Sequence, residues 1–263
     1  MRRESFHTPG PLHLNVRVPS GRIELEAVEG EETVVELDAS PELEEEARIE
    51  LRPRRDGHEV SVVIEKRSGF FRGFRGDVRV RVTAPPGGDV EVSTASADVE
   101  GRGAFGALEV NSASGDVTFD HVGGDAQVNS ASGDVHVSRV EGGLTVNSAS
   151  GDVEVSYLGG NGKVRSASGD VQIDEAAGSL KIQTASGDME VGSVREGDVN
   201  LQTASGDIEV GVKKGSKLWI DARSMSGETS SELEVGDAPP DGAGPLVEVR
   251  ATAMSGDIQV RRA

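Results

Sequence analysis

The chain has 263 residues, a formal net charge of −19 and no cysteine. The lack of cysteine excludes disulfides, thiolate catalysis and thiolate metal sites, and the negative charge opposes long-range attraction to nucleic acid or anionic lipid. Aromatic residues make up only 3% of the chain, whereas glycine contributes 35 residues, so the composition favours many short strands joined by tight turns over a bulky enzyme core.

The first predicted element is a divergent opening coil over residues 11–38. Apolar residues alternate from Leu12 to Val18 with the period of two that a strand requires, and shorter apolar runs follow it. A divergent coil is typical of the end of a repeat protein, because a terminal repeat must cover an open core.

A short helix and a hairpin are predicted next. Ser40 and Pro41 are placed as the N-cap and first residue of a helix that runs to Ala47. Two strand-like segments, 48–54 and 59–65, flank Asp56-Gly57, a dipeptide typical of hairpin turns.

Residues 66–76 interrupt the alternation with a segment that mixes basic and aromatic side chains. The segment carries four positive charges and three of the six phenylalanines. Two interpretations stay open: the phenylalanines cover an end of the fold, or the segment contacts a partner or an anionic membrane surface. The residues predicted to contact a partner are Phe70, Phe71, Arg72, Phe74 and Arg75.

From residue 93 onward the chain consists of copies of one short motif. Asn-Ser-Ala-Ser-Gly-Asp-Val occurs at 111–117, 129–135 and 147–153, and variants continue to 252–258. The acidic residue of the motif recurs at steps of 18 five times and then of 19, 21 and 29, at Asp98, Asp116, Asp134, Asp152, Asp170, Asp188, Asp207, Glu228 and Asp257.

Each copy contains two alternating apolar segments, which cannot bury a face in isolation and must stack on their neighbours. Stacking in register at about 4.8 Å per coil predicts an all-β fold, a single-stranded parallel β-helix or solenoid with coils of about 18 residues. The preference of parallel crossovers favours a right-handed solenoid. Residues 1–92 are predicted as a divergent N-terminal part and residues 93–263 as the regular solenoid with a closing coil, in one continuous domain. An antiparallel sandwich is the alternative, but it would not need nearly identical copies.

The motif leaves open which of its middle residues faces inward. Ser148 shares the parity of Val146, which points its hydroxyl inward. Ala149, however, is replaced by Met225 and Met254 in the last copies, which favours burial of that column instead.

The order of these segments resembles the bacterial toastrack family of adhesin-like domains. The resemblance is carried by Leu12-x-Leu14, Pro19-Ser20-Gly21-x-Ile23, Arg79-x-Arg81-Val82-x-Ala84-Pro85, the Ser-Gly-Asp-Val/Ile coils and Met254-Ser255-Gly256-Asp257-Ile258-x-Val260. It implies a single-chain β-helix with a role in cell-envelope adhesion or stress-response scaffolding, and it brings no catalytic residues.

The recurring aspartate has two interpretations. After glycine it is typical of a turn, where its carboxylate accepts backbone N–H groups. A stack of carboxylates would alternatively hold divalent cations such as Ca²⁺, and the candidates for that ladder are Asp116, Asp134, Asp152, Asp170 and Asp188. The turn is favoured, because the nine-residue calcium repeat of other solenoids is absent.

The motifs predict no enzyme and no cofactor. No coil places a histidine and an acid beside its serine, as nucleophilic catalysis requires. The repeated acids offer many carboxyl pairs without selecting one for glycoside cleavage, and the five histidines show no metal-ligand spacing.

The sequence therefore predicts a non-enzymatic binding or structural module, adhesin-like or a scaffold, which displays repeated polar faces to an unknown protein or cell-envelope partner. The alternatives are a cytoplasmic scaffold in envelope-stress signalling that docks a membrane protein, and a polysaccharide-active enzyme. No nucleic-acid partner is expected, while membrane contact through residues 66–76 and self-association stay open. The chain as written shows neither a signal peptide nor an apolar stretch of about 18 residues, which predicts a cytoplasmic location.

Overall fold

The computed structural model describes residues 1–64, 78–231 and 244–263. These residues form two compact units, Met1–Gly133 and Asp134–Ala263. The predicted parallel β-solenoid is confirmed, since successive coils within each unit pair in parallel and in register. None of the helices in the described ranges is long and apolar enough to cross a membrane.

The first unit is built around the long strand β2. The elements in chain order are β1 (Arg2–His7), β2 (Leu12–Ala27), β3 (Glu32–Asp38), α1 (Pro41–Glu46), β4 (Arg48–Arg54), β5 (Gly57–Val63), β6 (Arg79–Ala84), β7 (Asp89–Phe105), β8 (Leu108–Ser112), β9 (Val117–Val122) and β10 (Ala126–Ser132). One edge of β2 pairs with β7 along most of its length, and the other edge pairs with β5 and then with β6.

The predicted helix and hairpin are both confirmed in this unit. The Ser40 hydroxyl accepts a hydrogen bond from the Leu43 N–H at 3.5 Å, which caps α1 where Pro41 begins it. Strands β4 and β5 form the antiparallel hairpin across Asp56-Gly57. A further antiparallel set, β1 on β3 and β3 on β6, extends the other side of the unit.

The second unit consists of parallel strands in two series. Its strands are β11 (Val135–Val140), β12 (Leu144–Ser150), β13 (Val153–Leu158), β14 (Gly162–Ser168), β15 (Val171–Ala176), β16 (Leu180–Ser186), β17 (Met189–Val194), β18 (Gly197–Ser205), β19 (Ile208–Val212), β20 (Lys217–Ser226), β21 (Thr229–Ser231), β22 (Leu246–Ser255) and β23 (Ile258–Arg262). One series pairs in the order β12–β14–β16–β18–β22–β20, and the other in the order β11–β13–β15–β17–β19–β23–β21.

The coils do not stack in chain order at the end of the second unit. The last coil of the chain, β22 with β23, lies between the β18–β19 coil and the β20–β21 coil. The predicted closing coil is therefore one layer inside, and the earlier β20–β21 coil is outermost. Insertion gives β22 and β23 strand partners on both edges, so the backbone groups of the last coil are satisfied on both sides.

The core consists of aliphatic columns in which each coil places its apolar residue over that of the next. Val146, Val164, Ile182 and Leu201 form one such column, and all four have no exposed surface. Continuous burial of this kind is the main stabilising contribution available to a fold with so few aromatic residues.

Candidate functional site

The Ser-Gly-Asp turn links each coil to the next through its aspartate. The Asp170 N–H donates to the Asp152 Oδ1 at 2.8 Å, and the Asp188 N–H donates to the Asp170 Oδ1 at 2.8 Å. The same bond joins the turns of the second unit from Asp134 to Glu228. The carboxylate thus accepts an N–H from the neighbouring coil, which supports the turn interpretation and offsets repulsion between stacked charges.

Because the Asp170 carboxylate is both a hydrogen-bond acceptor and a negative charge, we expect two substitutions to separate the effects of these two properties on stability. Asp170→Ala removes the acceptor of the Asp188 N–H, and we expect it to lower the free energy of unfolding by about 1 kcal/mol. Asp170→Asn keeps the Oδ1 acceptor and removes one charge from the stack, so its unfolding free energy should match or exceed that of the parent at low salt. Urea unfolding measures both, and an equal loss in the two variants would show that the charge, not the acceptor, stabilises the turn.

The candidate calcium ladder divides between the two units. Asp116 lies in the first unit, where its N–H donates to the Asp98 Oδ1 at 3.3 Å, and the other four candidates lie in the second. Throughout the described ranges, no group of three or more histidine, aspartate or glutamate side chains is placed to hold a metal ion.

The motif allows either the serine column or the neighbouring alanine and methionine column to face inward. In the structure the serine column faces inward. Ser148 is buried, and its hydroxyl donates to the Ser150 carbonyl at 3.1 Å. Met225 and Met254 are 83% and 58% exposed, so the alanine and methionine column faces outward. Burial of that column was wrongly suggested by the apolar character of methionine, whereas the strand parity gave the right answer. The inward hydroxyls satisfy turn carbonyls, which is a structural role.

One outward face of the second unit carries a basic patch, defined as Lys163, Arg165 and Lys181. Lys163 and Arg165 lie on the same side of β14, and Lys181 is the neighbour of Lys163 on β16. All three are exposed, and none forms an ion pair with another residue of the described ranges. Adjacent cations at the strand spacing repel one another, so this patch favours an anionic partner.

The other series of strands carries an acidic column, defined as Glu154, Glu190 and Glu209. These residues occupy one outward register position, with Gln172 between the first two. Arg261 on β23 forms ion pairs with Glu190 and Glu209, at 3.8 Å for the former. The acidic column is therefore partly neutralised within the unit, in contrast to the basic patch.

The first unit contains a cleft of about 430 Å³ beside the hairpin turn. Its walls are Pro11, Leu12, His13, Arg54, Arg55, Asp56, Gly57, His58 and Asp89. These residues include no hydroxyl or thiol nucleophile, and their arginines and aspartates balance in charge. The His58 Nδ1 atom is buried without a hydrogen-bond partner.

The predicted partner-binding residues Phe70, Phe71, Arg72, Phe74 and Arg75 lie outside the described residues. The basic patch, in contrast, is absent from the sequence-based prediction, although the sequence contains a pattern that indicates it. Lys163 and Lys181 are 18 residues apart at outward parity, and the overall negative charge concealed this local pattern.

Comparison with known proteins agrees with this architecture. A solved structure from Parabacteroides distasonis, described as a candidate lipid binding protein, is 13% identical with a TM-score of 0.51, and the alignment covers 100% of this chain and 96% of that one. A candidate adhesin from Bacteroides fragilis is 12% identical with a TM-score of 0.50, over 98% of this chain and 96% of that one. At these identities the likeness shows the fold alone.

Among curated proteins, none matches this sequence. Residues 13–261 match the family Toastrack DUF4097, which is nearly the whole chain. The expectation from the opening segment, the entry strand and the Ser-Gly-Asp coils is thereby confirmed. The chain belongs to the toastrack family.

Proposed function

We propose that the chain is a non-enzymatic, adhesin-like binding module that holds an extended anionic polymer of the cell envelope on its outward face. The basic patch carries this proposal, since three exposed cations on two adjacent coils have no ion-pair partner among the residues that the structure describes. An anionic polymer with charges at regular intervals would relieve their mutual repulsion and contact more than one coil. The description of the Bacteroides fragilis protein as a candidate adhesin supports an envelope role.

The non-enzymatic part of the proposal is supported by the state of the polar groups. The inward hydroxyls of Ser148 and Ser166 already donate to turn carbonyls, at 3.1 Å and 2.9 Å. The cleft beside the hairpin is lined by no hydroxyl or thiol nucleophile. A nucleophile held by a positioned base, which covalent catalysis needs, is thus missing from both places.

Charge neutralisation on the patch tests the proposal. The full chain and the variant Lys163→Gln/Arg165→Gln/Lys181→Gln are compared for binding to a purified anionic envelope polysaccharide on a biosensor. We expect the variant to bind at least about tenfold more weakly, because three charge contacts are lost, and parent binding to fall with added salt.

The matched control is Arg52→Gln/Arg79→Gln/Arg102→Gln, which changes the net charge equally through exposed, ion-paired arginines of the first unit. It should bind within about twofold of the parent, because these exposed arginines already have carboxylate partners and surface ion pairs contribute little. Equal losses in both variants, binding to anionic vesicles but not to the polymer, or reproducible cleavage of the polysaccharide would each contradict the proposal.

A further inference from the structure

The outermost coil of the second unit leaves a strand edge uncovered within the described residues. Strand β20 pairs with β22 and β21 pairs with β23, and no other described strand pairs with either of them. The outermost coil of the first unit differs, because β5 and β6 are each covered by an antiparallel strand, β4 and β3. An uncovered edge presents unpaired N–H and C=O groups and is a template for pairing with another chain.

The same edge exposes apolar side chains that inner coils bury. Leu218 and Ile220 are only partly buried, although their neighbours Val247 and Val249 on β22 have no exposed surface. Trp219 on the outward side of β20 is also partly exposed. Apolar surface concentrated at a strand edge marks an interaction site more strongly than single exposed residues do.

A change in the repeat marks the same place. The outward motif position is alanine in seven coils and methionine only at Met225 and Met254. These two residues belong to the two outermost coils in stacking order, on neighbouring strands β20 and β22. Both are more than half exposed. Methionine adapts its shape to a partner surface. The larger, adaptable side chain thus replaces alanine only in the two outermost coils.

The sequence of β20 is complementary to itself in the antiparallel direction. When two copies of the strand pair about Ala222, Asp221 of each copy lies opposite Arg223 of the other. The same register places Met225 opposite Trp219, a favourable sulfur–aromatic pair. All four side chains lie on the outward face of β20, where the Arg223 side chain is 76% exposed.

We propose that β20 is a dimerisation edge, which pairs antiparallel with β20 of a second copy of this chain about a twofold axis at Ala222. The dimer pairs the edge of residues 218–226 and covers Met225. Within one copy, Arg223 Nε already lies 3.0 Å from Asp221 Oδ1, and in the dimer each carboxylate also faces the Arg223 guanidinium of the other copy. An isologous contact of this kind closes on itself, so it ends the stack without producing fibres. The edge is separate from the basic patch, and the inference does not rest on the proposed function.

Charge swaps at the two ionic residues test the inference by sedimentation velocity of the full chain over a wide concentration range. We expect the parent to form a dimer and each single variant, Asp221→Arg or Arg223→Asp, to weaken it at least about tenfold, because both symmetric pairs become repulsive. The double variant Asp221→Arg/Arg223→Asp restores opposite charges across the axis and should dimerise as the parent does. Glu100→Arg, which breaks a similar exposed pair with Arg102 in the first unit, should leave the dimer unchanged.

Melting curves of all variants show whether they fold, since these side chains lie on the surface. Hydrogen exchange of residues 218–226 adds a second readout, and the protection of those amides that do not donate to β22 should rise with protein concentration. A parent that stays monomeric, single variants that dimerise normally, or a double variant that is not restored would overturn the inference. Protection, in a monomer, of those amides that do not donate to β22 would do the same, because the edge would then be covered by another part of the chain.

Discussion

Val153→Asp is expected to lower the free energy of unfolding by about 3–5 kcal/mol, because it places an unpaired carboxylate in the core. Val153 is 1% exposed and lies between Val135 and Val171 in an aliphatic column of the second unit. The neighbouring coils supply only aliphatic groups at this level, so no donor in the column can satisfy the new charge.

Urea unfolding as a function of pH checks the physical cause. Burial raises the pKa of the new carboxyl in the folded state above its unfolded value of about 3.9, so the folded state retains the proton longer. The loss of stability should therefore be small near pH ~3.9, where the carboxyl is protonated in the folded state. It should grow as the pH rises through the folded-state pKa. Ser156→Asp places the same residue on the outward side of β13 and should cost less than about 1 kcal/mol. Equal losses at the two positions would contradict the assigned inward face.

The solenoid could be predicted from sequence because two independent periods agree. Alternation of apolar residues fixed which side of each strand is buried, and the 18-residue step fixed which residues stack. Val146 and Val164 were expected one above the other, and they are register partners.

The order of the coils at the ends could not be predicted in the same way. Every coil presents a similar aliphatic stripe, so the energy of stacking one coil on another depends little on their separation along the chain. The amino-acid sequence of β22 does not distinguish two stacking positions. The strand could pair with β20 alone, or it could lie between β18 and β20, as it does in the structure. The motif is the same in both arrangements and therefore does not record the stacking order.

The burial of the middle motif residues shows a second limit of prediction from the sequence pattern. Met225 and Met254 were open to interpretation as core residues because hydrophobicity alone suggests burial, yet their parity with exposed residues places them outside. Ser148 takes the inward position because its hydroxyl has a carbonyl partner in the turn. A polar residue with a local partner can thus displace an apolar one from the core side.

Gly169→Ala is expected to lower the free energy of unfolding by about 2–4 kcal/mol, through two separable causes. The backbone at Gly169 has a φ of +115°, a conformation that L-residues rarely adopt. A Cβ atom there would also overlap the carbonyl oxygen of Gly151 in the preceding coil and lie 2.7 Å from its carbonyl carbon. Neither backbone atom can move aside without disturbing the in-register stack.

Gly215→Ala separates the two causes, because Gly215 has a φ of +92° but a Cβ atom there would meet nothing within 4 Å. It retains the backbone strain without the clash, so we expect a loss of only about 1 kcal/mol. Thermal and urea unfolding of the two variants under identical conditions measure the difference. If Gly169→Ala were no more destabilising than Gly215→Ala, the coils would not be in the close contact on which the recurring Ser-Gly-Asp motif depends. A clearly larger loss of stability at Gly169 would instead explain why glycine precedes the acidic residue at this turn. A residue with a Cβ atom does not fit between the stacked turns.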